Sequence, residues 1–299
     1  DGDGVVDPVG GGQIYRSPSG AAGSWTRVLG RSGPTPRYAI TAMATMSGTL
    51  YAAGCGWSGA AGSGIDVVRS TNGQSWASAG ALAIEGRSRG CVGALTPYDD
   101  HLYAAVGGDD RLGGAGAAID VWRCARCDGA DWEEVASAGI ADPGNTGRVA
   151  MVAFDPPPFH YLYLAVGNAE GAQVWRAPDG LRWEPVAQEG FGDPNNVDVF
   201  GPRSLAVWSD RLFVGTANAA HGGELWSTAG GRPSTVPTPP GAGPTPTPRP
   251  RLEAPTGRAR YAFVEQWPIP QAVPQDVMGG VVDLEVADDA TVYLLDRTN

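Results

Sequence analysis

The chain has 299 residues, 42% of them hydrophobic, enough to bury a core in one large domain or two smaller ones. Charged residues make up 18% and the formal net charge is −11, which excludes the basic footprint of a general nucleic-acid binder. All 21 basic residues are Arg, the 45 Gly and 25 Pro favour turns over helix interiors, and no apolar run is long enough to span a membrane.

The chain opens on DGDGVVD at Asp1 to Asp7. This segment resembles the middle of a calcium loop of the EF-hand or thrombospondin type-3 kind, which implies Asp1, Asp3 and Asp7 as oxygen ligands and Gly4 at the turn. The first ligand and the closing Glu are lacking, so a solvated acidic loop is favoured and calcium is the alternative; no other cofactor is expected. With no signal peptide and a start at Asp1, the chain is read as processed or as a fragment.

From Ile14 onward one phrase recurs: an apolar pair, Arg-Ser or a relative, a short Gly-containing turn, then Trp. It reads IYRSPSGAAGSW, VVRSTNGQSW, VWRCARCDGADW and VWRAPDGLRW, with Arg16, Arg69, Arg123 and Arg176 spaced by 53, 54 and 53 residues. A fifth copy, LWSTAGG from Leu225, lacks the Trp. A second phrase keeps register with it: GTLYAAGCG, HLYAAVGG, YLYLAVGN and RLFVGTAN. Each follows a run of small and apolar residues, so each unit offers four short strands. That period predicts an all-β protein built of four-stranded antiparallel propeller blades. The small residues suit the innermost strand, and the Trp that opens the outermost strand suits the seam between blades. Three blades are complete from about Ala39 to Val186, with partial blades on either side, giving four to five in all. Residues 1–230 form this partial propeller.

The cysteines fall within these repeats. Cys55 ends a second strand and Cys91 begins the next inner strand, while Cys124 and Cys127 sit in one hairpin. This predicts disulfides Cys55–Cys91 and Cys124–Cys127, and an oxidising compartment: a secreted or cell-surface protein. Zinc at Cys124 and Cys127 would need two further ligands nearby, and the histidines, His101, His160 and His221, show no ligand spacing.

After Gly230 the composition changes. Nine prolines between Pro233 and Pro255 mark residues 231–258 as a Pro/Thr-rich spacer. Beyond it, YAFVEQW and VVDLEVADDATVYLLDRTN read as strands, and residues 259–299 are expected to begin a second propeller.

Two families resemble these segments. STNGQSW at Ser70 to Trp76 and APDGLRW at Ala177 to Trp183 resemble a shortened Asp-box, the BNR repeat of sialidase-like propellers. In that family the box lies away from the active face, so the resemblance implies a folding role and no catalytic residue. Val281 to Asn299 resembles one NHL repeat.

The functional expectation is a non-catalytic extracellular propeller that binds a protein or glycan ligand, and the alternative is a glycan-active enzyme, sialidase-like or another glycoside hydrolase. The ligand face should hold the loops from each outermost strand to the next inner strand, together with the loops joining second and third strands. The first set carries Arg37, Arg89, Arg148 and Arg203, and the second carries Asp66, Asp120 and Glu224. Asn195 and Asn196 add polar contacts from the loop 190–203. A ring of guanidinium groups suits carboxylates or phosphates. The competing reading has each Arg pairing with a carboxylate of a neighbouring loop.

Overall fold

The structure is a computed structural model, described here for residues 13–18, 24–29, 40–57, 64–83, 89–107, 118–129, 131–155, 160–199, 204–208, 211–218, 220–228, 261–266, 281–286 and 292–296. It is an all-β propeller. A ribbon of β1 (Ile14–Arg16) and β2 (Thr26–Leu29) precedes the first four-stranded blade, β3 (Ile40–Met46), β4 (Thr49–Trp57), β5 (Ile65–Ser70) and β6 (Ala77–Leu82). The second blade is β7 (Arg89–Tyr98), β8 (His101–Gly107), β9 (Asp120–Cys124) and β10 (Glu133–Ala136). The third is β11 (Asn145–Phe154), β12 (Tyr161–Asn168), β13 (Gln173–Ala177) and β14 (Glu184–Ala187).

In the fourth blade the inner strand is interrupted. β15 (Asn196–Asp198) and β16 (Leu205–Trp208) both pair with β17 (Arg211–Asn218), which pairs with β18 (Gly222–Thr228). The outermost strand, β19 (Tyr261–Gln266), comes from beyond the Pro-rich segment and pairs antiparallel with β18. Sequence reading ends this repeat at its third strand; the open edge of β18 accepts a fourth from far along the chain. A last ribbon joins β20 (Val281–Val286) to β21 (Val292–Asp296). Inner strands pack in succession: β3 on β7, β7 on β11, β11 on β16, and β16 on β20.

The blades adhere through apolar seams. Between the first two, Val67, Ala79 and Leu82 meet Val92, Leu102 and Ala104, with Trp132 packed against them. Trp76 and Trp183 sit on the equivalent seams. The Trp132 indole also donates to the Ala79 carbonyl at 2.7 Å, so one ring covers apolar surface and ties two outer strands together. Nearer the axis, Thr41 Oγ1 donates to the Val92 carbonyl (2.6 Å) and Thr96 Oγ1 to that of Met151 (2.9 Å). Short hydroxyl side chains suit this crowded layer because they bond the next blade's backbone without adding bulk.

Two disulfides are present, Cys55–Cys91 and Cys124–Cys127. The first joins β4 to β7, whose ends also pair through Cys55–Cys91, Gly56–Gly90 and Trp57–Arg89. Between-blade closeness is also enforced at Gly107, where an added Cβ would stand 2.2 Å from the Gly147 carbonyl oxygen. Because that neighbour is backbone, Gly107→Ala should destabilise by about 1–3 kcal/mol. Urea unfolding measures it; a loss under about 0.5 kcal/mol would show that the seam yields.

Candidate functional site

The loops entering each inner strand share one face with the loops joining second and third strands. Two successive blades build the same clasp there. In the third blade the Asn145 amide donates to the Gly139 carbonyl and the Asn168 amide to Asn145 Oδ1 (3.0 Å). Asp142 closes the set: its Oδ2 accepts from Asn168 Nδ2 (3.1 Å) and from Gln173 Nε2 (2.7 Å). In the fourth blade Asn196 donates to the Gly190 carbonyl and to Glu224 (2.8 Å). Asn218 donates to Asp193 Oδ2 (2.9 Å) and to Glu224 Oε1 (3.1 Å). Asp142-Pro143-Gly144-Asn145 and Asp193-Pro194-Asn195-Asn196 are thus one motif in two copies.

Local chemistry explains the motif. Asp142 accepts from the Gly144 amide and Asp193 from the Asn195 amide, the turn that an Asp side chain makes two residues ahead. The Pro between them fixes φ and removes a donor that the turn cannot use. The Asn195 backbone bond, followed by the Asn218 side-chain amide, holds Asp193 below the usual carboxylate range. Asn145 and Asn196 are fully buried and satisfy backbone carbonyls that no strand reaches.

Between the clasps, Arg148 of β11 faces Asp198 of β15 across the seam, Nη1 to Oδ2 3.9 Å. Both are partly exposed, the side chains at 16% and 29%. Beside them Asp193 and His221 approach to 3.7 Å, and ligand atoms of Asp193, His221 and Glu224 all lie within 4.8 Å of one another. A separate cavity of about 320 Å³ opens along Ile40, Thr41, Ala42, Met43, Ala94, Leu95 and Met151. Its lining holds no titratable side chain, so the polar chemistry belongs to the loop face.

The expected site residues distribute unevenly. Arg148 pairs with a carboxylate of the neighbouring blade, the arrangement the competing reading describes. Asn196 is fully buried and unavailable to a ligand; the turn before it directs its amide inward. Asn195 is exposed and bonds Asp193 through its side-chain amide at 2.8 Å. Asp120 and Glu224 are 6% and 5% exposed, and Asp66 is half-buried, each at the start of a third strand. Asp1, Asp3, Asp7, Arg37 and Arg203 lie outside the described residues, as does the side chain of Arg89. Sequence reasoning missed Asp142, Asn145, Asn168, Gln173, Asp193, Asp198 and Asn218. The available signal was the recurrence of Asp-Pro-x-Asn, at Asp142 and Asp193, after each of two successive Arg phrases.

No family model matches the chain, and no curated protein matches it. Similar solved structures include a GH43 endo-arabinanase from Bacillus licheniformis (16% identity, 62% of this chain and 69% of that one, TM-score 0.39). Others are the Bacillus subtilis arabinanase (12%, 75% and 79%, 0.41) and a mutant α-L-arabinanase of Cellvibrio cellulosa (12%, 88% and 86%, 0.41). The expectation of a non-catalytic binding propeller is corrected on this point. The similar solved structures named above are all glycoside hydrolases, none of them a non-catalytic binding propeller.

Proposed function

We propose that this chain is a glycan-active enzyme of the glycoside hydrolase kind, working at the loop face described above. The observation that supports it is the Arg148–Asp198 pair, which leaves a partly exposed carboxylate between two clasps that each present a further one, Asp142 and Asp193. Glycosidic cleavage needs two carboxyl groups flanking the scissile bond. Asp198 is the group assigned to reactive chemistry, oriented by the Arg148 guanidinium. The second carboxyl group is drawn from the clasps, with Asp142 and Asp193 as its candidates.

In the same reading the Asn72 and Asp179 hairpins are shortened Asp-boxes with a folding role, and Asp131 orders the Cys124–Cys127 hairpin by a different set of bonds. Asn72 accepts from the amides of Gln74 and Ser75, Asp179 from those of Leu181 and Arg182, and Asp131 from Arg126, Cys127 and Asp128. The hairpin at Val281–Asp296 is NHL-like in sequence. Two disulfides support a secreted or surface location.

The test is release of reducing sugar from arabinan and from a panel of neutral and acidic oligosaccharides. Asp198→Asn should lower the rate about 10²–10⁴-fold, the contribution of a positioned acid or base, with an unchanged melting temperature. No release from any substrate, or equal rates for the variant, would overturn the assignment.

A further inference from the structure

The two clasps differ at Gln173 against Glu224 and at Gly144 against Asn195, and by one inserted residue. In the third blade the Asp142 carboxylate receives the Gln173 amide at 2.7 Å, an acceptor meeting a donor. In the fourth blade the Gln position is Glu224, so two acceptor-only carboxylates, Asp193 and Glu224, face each other within 4.8 Å. Copying the first clasp would have kept an amide there. The chain is also one residue longer between Asn218 and Glu224 than between Asn168 and Gln173, and His221 lies in that longer loop.

Glu224 supplies an independent observation. It is 5% exposed, and among the described residues its carboxylate is held by two neutral amides, those of Asn196 and Asn218, and by no guanidinium. A buried carboxylate ordinarily has a cationic partner or coordinates a metal. Here the nearest group able to complete it is the His221 imidazole, which stands 3.7 Å from Asp193 Oδ2.

We propose that Asp193, His221 and Glu224 form a divalent-metal site of the zinc class. The inference goes beyond the glycan-active reading and does not rest on it. One imidazole nitrogen and two carboxylate oxygens are a zinc-type donor set, whereas calcium takes six to eight oxygens. At zinc–ligand bonds of about 2.0–2.1 Å, tetrahedral ligand atoms stand about 3.4 Å apart. The His221–Asp193 separation is already near that value, and the half-exposed His221 ring closes the remaining gap without moving a strand. The Asn196 and Asn218 amides orient Glu224 as outer-shell donors and leave its other lone pairs for the ion. Three protein ligands leave a coordination position open toward solvent.

The experiment is titration of the chelator-stripped full chain with zinc by calorimetry and by thermal melting. The expected result is one equivalent bound in the micromolar range or tighter, with a rise in Tm. His221→Ala should weaken binding by more than the roughly 10–100-fold that outer-shell changes cause. Glu224→Gln keeps the side chain's size and removes its charge, so a variant that circular dichroism shows to be folded should lose both zinc binding and the Tm rise. A folded wild-type chain that binds no zinc, zinc binding retained in His221→Ala, or calcium bound in preference to zinc would each overturn the site. Both readouts are independent of sugar release, so failure here and failure of the enzymatic reading are distinguishable.

Discussion

Replacing Cys55 and Cys91 together by alanine should cost about 4 kcal/mol, roughly twice the cost of removing Cys124 and Cys127. The difference follows from the chain enclosed. The first bridge spans a sequence separation of 36 and the second a separation of 3. In the unfolded chain the longer loop loses more conformational freedom when closed. The first bridge also sits where β4 and β7 hydrogen-bond across a seam, so cutting it loosens a contact between blades. The second lies within one hairpin, where the Asp131 carboxylate already gathers three backbone amides. Thermal melts of the two double variants separate these cases. At about 2–4 °C per kcal/mol for domains of 150–250 residues, the first variant should lose roughly 10 °C. Equal losses for both pairs would sink the argument.

The second large effect concerns one ion pair repeated in two environments. Arg176 and Glu184 pair at 2.6 Å, and Arg123 and Glu133 occupy the equivalent places at 2.5 Å. The Arg176 side chain is 8% exposed and lies 4.5 Å from the centre of the Tyr161 ring; Arg123 is 20% exposed and Glu133 58%. Removing Glu184 leaves a buried guanidinium without its counter-charge, so Glu184→Ala should cost about 3 kcal/mol. Glu133→Ala removes a partner that water readily replaces and should cost under about 1 kcal/mol. Urea unfolding of both variants is the check, and similar values would show that burial does not set the worth of this pair.

Much of this architecture could be read before any coordinates. Arg16, Arg69, Arg123 and Arg176 keep a constant phase because each blade repeats one hairpin, and hairpin chemistry is local. Cys55 and Cys91 could be paired because their strand positions placed them on adjacent strands at one rim. The clasps were harder. Asp142 and Asp193 look like ordinary turn formers, and the partners that give them meaning, Gln173 and Asn218, lie 31 and 25 residues further on. Arg148 was visible as a charge on an inner strand; its partner Asp198 was not, because only the neighbouring blade's packing sets that pairing. His221 seemed an isolated residue until the fold brought it beside Asp193. The fourth strand of the last blade was illegible for a related reason, since no local pattern says which distant segment will occupy an open edge.

That last strand behaves as a ligand carried by its own receptor. β19 adds to the edge of β18 by backbone pairing, the mode by which peptides augment exposed sheets. The two strands belong to one chain, so their pairing is intramolecular, and a free peptide of sequence YAFVEQ competes for the edge of β18 only above the effective concentration that the covalent connection sets.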